Sequence, residues 1–228
     1  NCYEGFLLEK EINFIGNAIN IPKRPLIAIL GGAKDSDRIT VISNLLNLAD
    51  KVIIGGGMAY TFLAALGYNI GSSLCEKDKI ELAKDLLEKG KDKIILPIDF
   101  RFTDEFKDKA PTHVGPISEL KNNEMSLDVG PKTLSMFEEV LKDAKTIVWN
   151  GPMGVFEMEN YRAGTIGVCE ILKAKKDAIT IVGGGDSASA AINFGYKDDF
   201  SHISTGGGAS LEYLEGKKLP GIECILEK

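Results

Sequence analysis

The 228-residue sequence predicts an α/β protein: a doubly wound, mainly parallel six-stranded sheet with helices on both faces. Three observations predict it. Short runs rich in Ile, Val and Leu alternate with stretches of helical period. The runs are apolar at both parities, which is what a strand buried on two faces requires. Nearly all of them run straight into glycine.

Residues 1–21 precede the first strand. Phe6, Leu7, Glu9, Lys10, Ile12, Phe14 and Ile15 predict an amphipathic helix, ended by Gly16 or by Ile21-Pro22. The strands follow as Leu26–Leu30, Lys51–Ile54, Lys93–Ile98, Thr146–Asn150, Ala178–Val182 and Ser201–Ser204. After the first, Ile39, Ile42, Leu45 and Leu46 repeat at helical spacing, as do Leu134, Phe137, Val140 and Leu141 before the fourth. Cys169, three residues after Ile166 and three before Leu172, reads as a buried thiol on a helix. Phe100 to Met125 has no clear period and contains Pro111, Gly115 and Pro116, predicting a long irregular excursion or a small antiparallel flap. Strand, crossover helix and strand again make the sheet doubly wound, Rossmann-like in plan.

Composition narrows the function. Apolar residues make up 44% and charged residues 26%, enough for a sizeable core. No run reaches the roughly eighteen apolar residues that span a bilayer. Asn1 to Lys10 mixes Glu4, Glu9 and Lys10 with its apolar residues, unlike a secretory signal. The formal net charge of −6 argues against a nucleic-acid partner. Cys2, Cys75, Cys169 and Cys224 lie far apart with only two histidines, so neither a zinc ribbon nor a disulfide framework is expected. Reduced thiols and a cytoplasmic setting follow as expectations.

The glycines carry the functional signal. Five strands lead into Gly31-Gly32-Ala33-Lys34, Gly55-Gly56-Gly57, Gly151-Pro152-Met153-Gly154, Gly183-Gly184-Gly185-Asp186 and Gly206-Gly207-Gly208. In an open α/β sheet the carboxyl ends of the strands form the ligand crevice. Glycine there admits a ligand close to the backbone and exposes amides, and the following helix presents its positive end to phosphate. A single glycine pair is usually a tight turn. Five at one edge predict an anion site. No GxxxxGK[ST] occurs, which excludes a Walker P-loop, and no GxGxxG opens the first helix. Phosphate-cradling amides, cations and a metal-binding carboxylate remain, the parts phosphoryl transfer needs.

The segments GGAKDSDRI (31–39), GGGMAYTF (55–62), DVGPKT (128–133), WNGPMGVFE (149–157), GGGDSASA (183–190) and HISTGGGASLEYLEGK (202–217) resemble the phosphoglycerate kinase family, in its order and at its spacing, across essentially the whole chain. The resemblance covers that family's C-terminal, nucleotide-binding domain, residues 22–228 here, with 1–21 as the interdomain linker helix. It implies a glycolytic transferase binding ADP or ATP with Mg²⁺. It also implies a monomer that meets 3-phosphoglycerate through an N-terminal domain. No counterpart to that domain's RVDFNVP or HLGRP segments is present, so a fragment is expected, one that binds Mg-nucleotide and is nearly inactive alone.

By the same resemblance, Gly31, Gly32 and Gly56 line the adenine slot, with Leu74 and Leu127 packing on the ring. Glu157 accepts the ribose hydroxyls. Lys34 and Asn150 contact phosphates, and Pro152, Gly184, Gly185 and Thr205 complete the nucleotide contacts. Asp186 is the Mg²⁺ ligand, a role that competes with helix N-capping, and Ser187 offers its hydroxyl and amide to a phosphate. Ser204, Thr205 and Gly206, Gly207 and Gly208 form the cradle facing the transferred group. Asp35 and Arg38 stand where the family usually has valine and a second lysine, so Arg38 is expected to serve the transition state with a planar fork instead of a compact ammonium. His113 and His202 are assigned no chemistry. Two other readings stand beside this one: a nucleotide-binding module without catalysis, and a Rossmann-type oxidoreductase lacking its fingerprint.

Overall fold

The computed structural model describes residues 21–33 and 36–204, excepting the side chains of residues 36 and 37. The expected linker helix, Lys34, Asp35 and everything from Thr205 onward therefore lie outside the described residues. Six strands form one parallel sheet: β1 (Leu26–Leu30), β2 (Lys51–Ile54), β3 (Ile94–Ile95), β7 (Thr146–Asn150), β8 (Ile179–Gly183) and β9 (His202–Ile203). Their order is β3-β2-β1-β7-β8-β9. The chain winds outward from β1 to β3, returns to the far side of β1, and winds outward again. The switch point lies between β1 and β7, which pair over five residues from Leu26↔Thr146 to Leu30↔Asn150.

The parity of the strands sorts the core into two. Leu26, Ala28, Leu30, Val52 and Ile54 face helices α1 (Ser36–Leu48), α2 (Met58–Ala65) and α3 (Ile80–Lys89), through Ile39, Ile42, Leu45, Phe62 and Leu86. Ile27, Ile29, Ile53, Ile147, Trp149 and Val182 face α4 (Pro131–Leu141), α5 (Ala163–Ala174) and α6 (Gly185–Asn193), through Phe137, Leu141, Val168, Cys169 and Leu172. Every residue of β1 and β7 is buried, so both faces of the central strands are removed from water.

Two expected strands are shorter than their apolar runs. Lys93–Ile98 contracts to Ile94–Ile95, because this strand has a neighbour only in β2 among the described residues and Pro97 has no amide to extend the ladder. Ser201–Ser204 contracts to His202–Ile203. The stretch without a period holds an antiparallel sheet of β4 (Phe100–Thr103), β5 (His113–Gly115) and β6 (Met125–Val129), ordered β5-β4-β6. It packs on α2 through Phe100, Phe102, Tyr60 and Leu63. Between the sheets, Asp99 caps α4 from outside the helix. Its Oδ1 accepts the Thr133 amide at 2.7 Å and its Oδ2 the Lys132 amide at 3.0 Å, so the helix N-terminus is satisfied by a carboxylate distant in sequence.

Candidate functional site

A cavity of about 450 Å³ opens at the carboxyl end of the sheet, beside the switch point. Its floor is Gly32, Gly56 and Gly57, from the turns after β1 and β2. One wall is Pro152 to Glu157, the loop after β7. Opposite stand Leu127 of β6, Leu74 and Phe106, and Asp186 of α6 closes one end. The lining is overwhelmingly apolar; among the described residues its charged members are Glu157 and Asp186, both exposed.

The floor is narrow because its turns bond to each other. Gly31 gives its amide to the Asn150 carbonyl at 2.9 Å, Gly32 to Pro152 at 2.7 Å, Gly57 to Gly32 at 2.7 Å and Gly55 to Leu30 at 2.7 Å. A Cβ on Gly31 would come within 2.3 Å of the Pro152 carbonyl oxygen, so only glycine permits this approach. For Gly31, Gly32, Gly55 and Gly57 the expectation that they expose amides to an anion is therefore corrected. The donors of these four are consumed in stitching three strand ends together, and what the floor offers a ligand is a flat slot.

The wall is equally fixed. Gly151 donates to Ser187 Oγ at 3.0 Å, Met153 to Thr165 Oγ1 at 3.1 Å and Val155 to the Leu127 carbonyl at 2.9 Å. Trp149 Nε1 donates to the Gly151 carbonyl at 2.7 Å. Phe156 meets the Phe194 ring edge-on, at 6.2 Å between centroids, and the Arg162 guanidinium lies over Phe194. Met153, fully buried, fills the space that side chains on Gly31 and Gly55 would occupy.

Of the residues singled out from sequence, Gly32, Gly56, Leu74, Leu127, Pro152, Glu157 and Asp186 surround this one cavity. Gly31 lies just behind the floor. Ser187 does not present its hydroxyl: it is fully buried, donating to the Gly183 carbonyl and accepting from Gly151. Only its backbone amide, with those of Gly185 and Asp186, remains at the start of α6, where helical amides have no partner within the helix. Gly184 turns the chain into that helix with φ +84°, and Gly185 stands in open space. Asn150 is buried beneath the rim, its Oδ1 beside Gly184 and without a hydrogen-bond partner among the described residues. Arg38, near the start of α1, donates from Nη1 to the Gly31 carbonyl at 2.8 Å and fills the space beside Gly32 and Gly151. Ser204 is buried at the end of β9 and donates its amide to the Val182 carbonyl at 2.7 Å. Lys34, Thr205, Gly206, Gly207 and Gly208 lie outside the described residues. Cys75 and Cys169 are free thiols, the second pushed up to about 12 by burial. His113 packs edge-on against Phe102 in the small sheet, and neither it nor His202 lines the cavity.

Sequence reasoning missed Tyr60, Phe106, Ser126 and Phe156. Tyr60 and Phe156 sit inside segments already singled out, but as apolar residues they read as core. Phe106 falls in the stretch with no period. Tyr60 donates its hydroxyl to Ser126 Oγ at 2.8 Å, and burial raises its phenol far above the ordinary tyrosine range.

Fold and site together define the class: a doubly wound α/β protein whose ligand crevice is a glycine-floored slot at the switch point. The phosphoglycerate kinase family profile matches residues 1–217. The phosphoglycerate kinase of Enterococcus faecalis is 60% identical over 224 residues, covering 98% of this chain and 56% of that protein. The Fusobacterium nucleatum one is 60% identical over all 228 residues and 57% of its own length. Among solved structures, phosphoglycerate kinase from Coxiella burnetii superposes with a TM-score of 0.90 at 42% identity, over 95% of this chain and 56% of that one. The Pyrococcus horikoshii enzyme gives 0.85 at 32% identity, over 97% and 56%. The chain belongs to the phosphoglycerate kinase family. It spans a little over half the length of these relatives.

Proposed function

We propose that this chain is the nucleotide-binding half of a phosphoglycerate kinase, with residues 22–228 as the nucleotide domain and 1–21 as the linker. The reaction it serves is ATP + 3-phosphoglycerate ⇌ ADP + 1,3-bisphosphoglycerate, completed with an N-terminal half that holds the phosphoglycerate. The observation that carries this reading is the slot itself: apolar, floored by glycine, lying at the switch point, with carboxylates in its lining. A purine ring between Gly32–Gly56 and Leu74–Leu127 buries two apolar faces. Glu157, exposed at the rim, accepts the ribose hydroxyls. The phosphates lie toward the first turn of α6, whose unpaired amides and dipole favour negative charge. Arg38 brings a guanidinium to the same edge. Positioning and charge stabilisation supply the catalysis, since direct transfer needs no covalent group from the protein.

The donor set fits magnesium held jointly with nucleotide. No group of three or more His, Cys, Asp or Glu able to hold a metal exists among the described residues. Magnesium ordinarily takes one or two carboxylates, with phosphate oxygens and water completing its shell. Asp186 is the residue that would hold it. When bound, the ion neutralises charge building on the phosphates. Two carboxylates in the lining would otherwise repel a polyphosphate.

Calorimetry with ADP, with and without Mg²⁺, followed by a coupled turnover assay with and without a separately produced N-terminal half, tests the reading. Mg-ADP should bind, and turnover should require both halves. Failure to bind ADP under either condition would sink it. Binding without turnover, even with the second half present, would instead favour a non-catalytic nucleotide module.

A further inference from the structure

One side of the cavity mouth belongs to a loop rather than to the sheet. Residues 104–112 join β4 to β5, and their Phe106 lines the cavity while 60% of it stays exposed. The loop is tied at three points to the single-turn helix Glu159–Tyr161, which continues directly from the cavity wall at residues 151–157. Asn160 donates its Nδ2 to the Ala110 carbonyl at 3.0 Å and its amide to Asp108 Oδ1 at 3.2 Å. Tyr161, fully buried, donates its hydroxyl to the Lys107 carbonyl at 3.3 Å. The turn is itself bonded to the wall, through the Met158 amide to the Val155 carbonyl at 3.0 Å. On the other side of Phe106, Glu105 gives its amide to Thr103 Oγ1 at 3.2 Å and its carbonyl accepts the same hydroxyl at 3.1 Å.

The backbone bears the mark of these ties. Lys109 takes a left-handed φ of +62°, the one residue other than glycine to do so among the described residues. That conformation is unfavourable for a residue with a Cβ and persists where the surroundings dictate it. Here they do. Lys109 lies between Asp108 and Ala110, the two residues that Asn160 holds, and its own amide donates to Asp108 Oδ1 at 3.1 Å. The Asp108 carboxyl is kept below the ordinary carboxylate range, chiefly by the Asn160 amide.

We propose that Asn160 is a positioning residue for nucleoside binding: it latches the 104–112 loop to the cavity wall and so sets the Phe106 ring at the mouth of the slot before a ligand arrives. This inference rests on the reading of the cavity as a nucleoside slot. The physical reason is preorganisation. A ring on an untied loop must be ordered at the moment of binding, and that entropy is subtracted from the affinity. On a tied loop the ring is already in place, and an entering nucleoside covers apolar area of Phe106 that water otherwise wets. Asn160 itself lies outside the lining, so its effect on a ligand passes through Phe106.

Adenosine is the probe, because it carries no phosphate and needs no metal, and calorimetry on the full chain reads its Kd. One partly buried hydrogen bond biases the loop toward its tied position about fivefold. Asn160→Ala should therefore weaken adenosine about 3- to 5-fold. Phe106→Ala should weaken it about 5- to 10-fold, and adding Asn160→Ala to Phe106→Ala should change nothing further, because a latch with no ring to place cannot reach the ligand. Asp108→Ala removes the other side-chain tie to Asn160 and should show the same dependence on Phe106, so it decides the matter should Asn160→Ala fail to fold. A merely structural role for Asn160 would lower the unfolding midpoint without that dependence. Affinity unchanged within about twofold in Asn160→Ala and Asp108→Ala, an equal loss with and without Phe106, or no loss in Phe106→Ala would each overturn the proposal and leave the cavity assignment standing. Absence of adenosine binding by the unmodified chain would overturn both.

Discussion

The glycine floor can be tested by adding a single carbon. Gly56 sits at φ +59°, and a Cβ there would lie 2.4 Å from the Gly32 nitrogen and 2.7 Å from the carbonyl oxygens of Gly32 and Pro152. All three atoms are backbone, and the Gly32 amide is already bonded to the Pro152 carbonyl, so none can rotate away. The left-handed conformation costs an alanine about 1–2 kcal/mol, and overpacking against fixed backbone adds about 1–3 kcal/mol. Gly56→Ala should therefore lose about 2–5 kcal/mol. Gly67 provides the reference, since its φ is also left-handed, at +87°, but nothing lies within 4 Å of its would-be Cβ. Alanine at either position restrains the unfolded chain by the same amount, so that contribution cancels between the two variants. The difference between their stability losses, from urea unfolding midpoints at equal slope, isolates the contact and should be about 1–3 kcal/mol. Adenosine affinity should fall in Gly56→Ala and stay unchanged in Gly67→Ala. Equal losses of stability would mean that the turns after β1 and β2 are not in contact, and the slot described here would not exist.

Other perturbations probe the surrounding structure. The folded-state pKa of Asp128 is raised from 3.8 to about 7, so the stability it contributes is fully present below its unfolded value and is lost as pH rises through the folded one. Urea unfolding should show a fall of about 2.5 kcal/mol between about pH 5 and pH 8 from this group; a slope that persists in Asp128→Asn would assign the effect elsewhere. Thr133 Oγ1 accepts the amides of Ile98 and Asp99, each at 3.0 Å, and donates to Asp99 Oδ1 at 2.7 Å. Thr133→Val should cost about 2–5 kcal/mol by stranding buried donors, and Thr133→Ser about 1 kcal/mol; similar losses in both would show that packing, not the hydroxyl, matters. Leu74 is 43% exposed at the cavity mouth. Leu74→Ala should weaken adenosine binding about 3- to 10-fold with the unfolding midpoint nearly unchanged, and a loss of stability without a loss of affinity would remove it from the site.

The two wound halves of the sheet were legible because Leu26–Leu30 and Thr146–Asn150 are apolar at both parities and separated by helical periods. The small sheet was legible only as one of two alternatives, an irregular excursion or a small antiparallel flap, and without strand bounds. In β6 the inward residues Ser126 and Asp128 are polar and buried, so the alternation that marks a strand is absent. At the site, glycine segments located the rim, and the family resemblance those segments carry singled out Gly32, Gly56, Pro152, Glu157 and Asp186. What those segments could not convey was how each donor is used. Ser187 reads as a phosphate ligand from its place after Asp186, yet its hydroxyl is committed to Gly183 and Gly151.

The sequence by itself determined where the strands of the parallel sheet run and that the central ones are buried on both faces, because periodicity and residue type are local properties of the chain. Only the tertiary structure decided that β1 lies beside β7, that three glycine turns close on one another, and that Asp128 stands behind the wall they face. Those are pairings between residues far apart in the chain, and a donor or a void is assigned only when the opposing backbone is in place.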